Sequence, residues 1–292
     1  MRVVLNDGGE YQLDQEEAIN DLLREHGLSN ANLTLAPIGS DCYEIHPSDN
    51  ALLEGKGKNG LPTVKEFQSL VGSLLWVARC TLPDIVFAVH KATRQTHQPL
   101  LHDQKLAERV ARYLTGTKSM KLNLTPSEND GMSIVVKNYS DADFAADKSD
   151  RKSLTGGSVL LNGMAVSWCA KKQGGVMLST MEAEFVAALE VARERLGIRK
   201  TYANSVQWQN CPCYCMSTIK LLLDSLKEKR RRSRPSILTF EPSLFAILPD
   251  WDCADTVRAI VGKAGRFADQ GTRRAMLAKL RALMRVGQDG KS

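Results

Sequence analysis

The sequence predicts an α+β protein: a helical region, then three strands and a helix, then an irregular tail. Three observations carry that prediction. Between residues 63 and 116 apolar side chains recur at helical spacing. Around Asn162-Gly163 two short apolar runs flank a tight-turn signal. Beyond about residue 203 neither period persists until a helical pattern returns through Met276, Leu277, Leu280, Leu283 and Met284.

The elements follow in order. Leu13, Ala18, Ile19, Leu22 and Leu23 are spaced as one helical stripe, and Gly27 supplies a stop. Residues 28–60 are rich in Gly, Asn, Ser and Pro and read as loop. Thr63-Val64-Lys65-Glu66 matches a capping box, in which threonine and glutamate satisfy each other's free amides. It opens a helix through Phe67, Leu70, Val71, Leu74, Leu75 and Val77. After Pro83 a second helix runs through Ile85, Val86, Ala88, Val89 and Ala92, and a third from about His102 to Leu114 before Gly116. Ile134-Val135-Val136 leads into a strand ending in Tyr139-Ser140-Asp141. Ser158 to Leu161 and Met164 to Trp168 form a hairpin, because Asn-Gly supplies the positive φ of a two-residue turn. Ser179-Thr180-Met181-Glu182 is a second capping box, with Glu182 reaching back to the Ser179 amide. The helix it opens places Phe185, Leu189, Ala192 and Leu196 on one face.

The bulk properties narrow the class. With 43% hydrophobic and 25% charged residues in 292, the chain suits one or two globular cores. No apolar run reaches the roughly 18 residues of a membrane span, and the first residues carry no secretory h-region. The expected location is cytoplasmic or nuclear. Seven cysteines without a secretory signal point to a reducing compartment. A net charge of +6 suits a polyanionic partner without establishing one.

The candidate chemistry lies in acids. Asp141 and Asp143 fall at the strand end, and Glu182 and Glu184 near the helix start. Such acids could converge on metal ions, as two-metal phosphodiester hydrolysis requires. They could equally be solvated or capping groups. Glu182 is assigned to the cap, and Glu184 lies about 200° further round the helix, so the two cannot share a role.

Several segments together carry a family resemblance. Tyr139-Ser140-Asp141-Ala142-Asp143-Phe144-Ala145, Asp150-Arg151-Lys152-Ser153, Val166-Ser167-Trp168, Lys171-Lys172-Gln173 and Ser179 to Ala187 resemble, in order and spacing, the ribonuclease H domain of copia-type retrotransposons. Phe67 to Trp76, Pro83 to Val89 and Arg109 to Thr117 resemble the segment joining polymerase to ribonuclease H in those elements. The resemblance spans roughly residues 10–202 and implies three regions. Residues 1–122 would be the helical, thumb- or connection-like end of a reverse transcriptase. Residues 123–205 would be a partial ribonuclease H-like domain. Residues 206–292 would be a degenerate tail with a terminal helix. The family activity implied is Mg²⁺-dependent cleavage of RNA in RNA–DNA hybrids. Asp141 and Glu184 would be catalytic and would bind metal, with Asp143 a further candidate ligand. Lys171, Lys172 and Gln173 would lie near the nucleic-acid backbone, or else form an ordinary solvated flank of the hairpin.

The sequence also departs from the family. A third acid is expected after a fourth strand, in a motif such as Asp-Asn-Gln-Ala-Ala, and it is absent. In its place stands Cys211-Pro212-Cys213-Tyr214-Cys215-Met216. Shifting the reading by one base permits Val-Asp-Asn-Gln-Ala-Ala across Met216 to Leu222, so a lost reading frame explains the gap. The cysteine trio lacks zinc-ribbon spacing and a partner pair. The basic run Lys227 to Arg234 is a nucleic-acid or nuclear-import signal, or a solvated product of the shifted frame. The paired aspartates of a polymerase are absent, which excludes DNA synthesis. The expectation is a degenerate Pol fragment with an incomplete, inactive ribonuclease H-like domain. The alternatives are an active ribonuclease H that recruits an acid such as Asp224, and a noncatalytic nucleic-acid-binding module.

Overall fold

The computed structural model describes residues 1–5, 9–39, 42, 46–55, 62–126, 134–147, 149–202 and 270–287. Strands β1 (Arg2–Leu5) and β2 (Tyr11–Asp14) pair antiparallel and lead into helix α1 (Glu16–Glu25). Leu13 therefore belongs to a strand and not to the helical stripe its spacing suggested. Asp14 ends the strand: one carboxylate oxygen accepts the Glu16 amide at 2.7 Å and the other pairs with Arg2 at 2.6 Å. These contacts turn the chain before the helix begins.

Helix α2 (Val64–Cys80) opens on the expected capping box. The Glu66 amide donates to Thr63 Oγ1 at 3.2 Å and the Thr63 amide to the Glu66 carboxylate at 2.7 Å. A 3-10 turn (Pro83–Ile85), helix α3 (Val86–Ala92) and helix α4 (Leu101–Thr115) follow. Phe67, Leu74, Leu82, Ile85, Val110 and Leu114 are fully buried between them. Strand β3 (Lys121–Asn123) then pairs with β2.

Strands β4 (Val136–Asp143), β5 (Leu154–Leu161) and β6 (Met164–Lys172) form a separate antiparallel sheet in that order, and helix α5 (Thr180–Tyr202) follows. Asn162 and Gly163 both take positive φ, 47° and 79°, as the two-residue turn requires. This sheet is covered on both faces. Leu154, Leu160 and Ala165 join the same buried cluster as Phe67 and Leu74, and Trp168 donates its indole N–H to the Ala78 carbonyl at 2.8 Å. On the other face Val136 and Val159 meet Val191 of α5, and Ala142 meets Ala183 and Ala187.

That contact corrects the helix face expected from sequence. Leu196 is 58% exposed and Leu189 lies on the outer side, while Ala183, Ala187 and Val191 are buried. The helix is apolar on more than one side, so spacing alone could not choose. Small residues decide it, because α5 approaches the sheet closely over Gly157.

Helix α6 (Gln270–Met284) confirms the terminal helical pattern and leads into β7 (Val286–Gly287). β7 pairs with β3 and completes a sheet ordered β1-β2-β3-β7. The Cys211–Cys215 segment, Asp224 and the Lys227–Arg234 run lie outside the described residues. Among the described residues, no helix is long and apolar enough to cross a membrane.

Candidate functional site

The acids gather at the outer edge of β4. That strand pairs only with β5, so its other edge lies open among the described elements. Side chains alternate along a strand. Ala142 packs against Ala183 and Ala187, which puts Asp141 and Asp143 together on the face away from α5. Both aspartates are buried, at 8% and 9% exposure. Glu184, one turn into α5, reaches the strand from the helix side. Its carboxylate accepts the Ala142 amide at 3.0 Å, between the two aspartates.

Glu182 plays the capping role, with a shifted partner. Its amide donates to Ser179 Oγ at 3.1 Å, but its carboxylate accepts from Leu178 at 2.7 Å and not from Ser179. Glu184 is thereby the glutamate directed at the strand. Among the described residues, no group of three or more His, Cys, Asp or Glu side chains is arranged to hold a metal ion.

The hairpin flank divides into three roles. Gln173 is 5% exposed and its amide donates to Thr155 Oγ1 at 3.0 Å and to the Ala183 carbonyl at 2.9 Å, tying sheet to helix. Lys172 pairs with Asp147 at 2.7 Å and Asp150 at 2.8 Å. Lys171 is solvent-facing and sits 3.5 Å from Glu190. The neighbouring motif residues brace the β4–β5 connection: Ser153 accepts the Ala145 amide at 3.1 Å, and Asp147 also receives Arg94 at 3.1 Å. Burial alone would raise the Asp147 carboxyl, but the hydrogen bonds from Lys172 and Ser149 outweigh it and hold the group well below the usual carboxylate range.

A second surface was not singled out from sequence. Lys65, Ser69, Gly72, Trp76 and Arg79 are all exposed along α2, and their spacing puts them on one helical face. Trp76 is 55% exposed, and a Cβ added at Gly72 would meet nothing within 4 Å. The signal was present as a period of polar and small residues opposite the apolar stripe. The tryptophan concealed it, because its hydrophobicity blends with Leu74, Leu75 and Val77.

Comparison with known proteins gives several relatives. The chain is 32% identical over 188 residues to "Retrovirus-related Pol polyprotein from transposon TNT 1-94" of Nicotiana tabacum, covering 64% of this chain and 14% of that protein. It is 33% identical over 198 residues to the Pol polyprotein from transposon RE1 of Arabidopsis thaliana, covering 65% and 13%. A 128-residue stretch is 36% identical to "Secreted RxLR effector protein 161" of Plasmopara viticola, covering 44% of this chain and 87% of that protein. The chain thus spans about one seventh or less of the two polyproteins. No family model and no solved structure matches.

Proposed function

The chain belongs to the copia-type retrotransposon Pol polyprotein family, and we propose that it is a degenerate Pol fragment that binds nucleic acid through its helical region and carries a ribonuclease H-like domain that does not cleave it. The observation that carries the reading is the contact between Glu184 and the Ala142 amide. Two-metal hydrolysis needs several carboxylates around ions about 3.5–4 Å apart. Asp141 and Asp143 lie on one face of β4, and Glu184 arrives from the other with its carboxylate already engaged by backbone. Asp141 and Asp143 on one face and Glu184 on the other do not form a group of three acids that could hold an ion among the described residues. They do not fit a pair of ions. Two such ions repel, and the acid that would offset their charge is missing from the family motif.

Binding has its own support in the exposed face of α2. Lys65 and Arg79 offer charge to phosphates, and Trp76 offers a flat apolar surface beside Gly72, where no side chain obstructs approach. Lys171 adds a cation on the sheet, while Gln173 acts by holding β6 to α5.

Two measurements test this. With Mg²⁺ and a labelled RNA–DNA hybrid, no cleavage is expected. Robust cleavage abolished by Asp141→Asn would overturn the inactive reading in favour of an active ribonuclease H. Titration of the same hybrid at several salt concentrations should give affinity that falls as salt rises, because bound phosphates release counterions. Against single-stranded RNA, whose unpaired bases can stack on an aromatic ring, Trp76→Ala should weaken binding about tenfold, as loss of one aromatic–base contact costs roughly 1–3 kcal/mol. Unchanged affinity in that variant would remove α2 from the interface.

A further inference from the structure

Helix α6 and strand β7 add nothing to the acidic edge, yet they are deeply embedded in the helical body. Leu280 and Met284 are 0% exposed. They belong to the same buried cluster as Phe67 and Leu114. The chain leaves the helix at Arg285, whose φ of 54° turns it sharply, and β7 then pairs with β3 through Leu122↔Val286 and Lys121↔Gly287. The Asn123 amide donates to the Arg285 carbonyl at 3.0 Å, and the Arg285 guanidinium donates to the Thr125 carbonyl.

At the centre of this contact is a buried charge. Asp84, in the 3-10 turn before α3, has a side chain with 0% exposure. Its Oδ2 accepts Tyr113 Oη at 2.5 Å and Arg281 Nε at 2.9 Å. The Arg281 guanidinium also donates to Tyr113 Oη and lies 5.4 Å from the centre of that ring. Arg281 stands 197 residues from Asp84 along the chain, and it is the cation paired with Asp84 among the described residues. A buried carboxylate that loses its partner is strongly destabilised. Among the described residues, the distant helix supplies the cation that neutralises this charge.

We infer that Gln270–Gly287 is a docking strap, and that Asp84, Tyr113 and the edge of β3 opposite β2 form its receptor on the helical body. The receptor selects a short helix followed by one extended turn. That helix must bring an arginine to Asp84 while Leu277, Leu280 and Met284 enter the apolar groove. Residues 203–269 are bracketed between two anchored elements, α5 and the strap.

Hydrogen exchange on the full chain tests it. Amides of residues 276–284 and of Leu122 and Asn123 should be protected, and equally so at two protein concentrations tenfold apart. Arg281→Met, which keeps an apolar stem and removes the charge, should speed their exchange about a hundredfold or more. Amides of residues 183–195 in α5 should not change. Arg281→Lys should give a smaller increase confined to the strap and β3, and this decides the matter if Arg281→Met unfolds the whole chain. The exposed Arg274→Ala should have no effect. Strap amides exchanging at free-peptide rates would overturn the inference. So would protection that vanishes on dilution, which would mean the strap comes from a second copy. Both Arg281 variants exchanging like the parent would overturn it as well.

Discussion

A chain carrying Gly157→Ala is expected to lose about 3 kcal/mol of stability, at the upper end of what overpacking a well-filled core costs. Gly157 lies on β5 opposite Ser140 and Cys169, on the sheet face that α5 covers. A Cβ built there would stand 2.1 Å from Cγ2 of Val191 and 3.3 Å from the Tyr139 carbonyl oxygen. Neither neighbour can yield cheaply. Val191 is β-branched and held near one rotamer in a helix, and Tyr139 is fixed by its strand pairing. The helix must therefore lift from the sheet, and this would also move Glu184 away from the Ala142 amide. Urea unfolding of the variant checks the loss. Adding Val191→Ala should recover part of it, because one methyl group then replaces another in the same space. A Gly157→Ala chain within about 0.5 kcal/mol of the parent would show that α5 does not approach so closely.

The same contact marks where the sequence was legible and where it was not. Features that depend on neighbouring residues were readable: the Thr63–Glu66 box, the Asn162-Gly163 turn and the three antiparallel strands followed by a helix all form. The capping argument placed Glu182 at the helix start, where it caps, and Glu184 meets the Ala142 amide. Features that depend on distant partners were not readable. β1, β2, β3 and β7 hold two to four residues each, too few to show a period of two, and their pairing joins positions near both ends of the described chain. The buried face of α5 was set by a glycine on another element. The terminal helix was visible as a pattern, but nothing local indicates that Arg281 meets Asp84. The family resemblance carried Asp150 and Ser153 without a role and put Gln173 near a nucleic-acid backbone. In the fold Ser153 and Gln173 brace the loop and join sheet to helix, because a motif records which residues recur together and not which of them face a substrate.

Acidification should destabilise the protein in two stages, and the first falls where few side chains normally titrate. His90 ends α3 beside the β4–β5 connection. Burial, with the charges of Arg94 and Lys172, pushes its imidazole down from 6.5 to about 4. Its Nδ1 is buried without a hydrogen-bond partner, which suits the neutral ring. The folded state thus binds a proton less readily than the unfolded chain. Stability is then full above the unfolded value of 6.5 and is lost as the pH falls toward 4, with no further loss from this residue below that. The shift corresponds to roughly 3 kcal/mol between those limits. The second stage begins below the ordinary carboxylate range. Asp147 is held low by Lys172 and Ser149 against the effect of burial, so its contribution is present above about 3.8 and disappears as it protonates. Both stages weaken the same place, since Arg94, Lys172 and Asp147 join the helical body to the sheet that carries Asp141. Urea midpoints at pH 7, 5.5 and 4.5 should decline steadily in the parent chain. His90→Gln should flatten that decline while leaving the loss below pH 4 in place, because the amide has no proton to gain and the carboxylates are untouched. Equal declines in parent and variant across pH 7 to 4.5 would show that His90 is not the group that titrates.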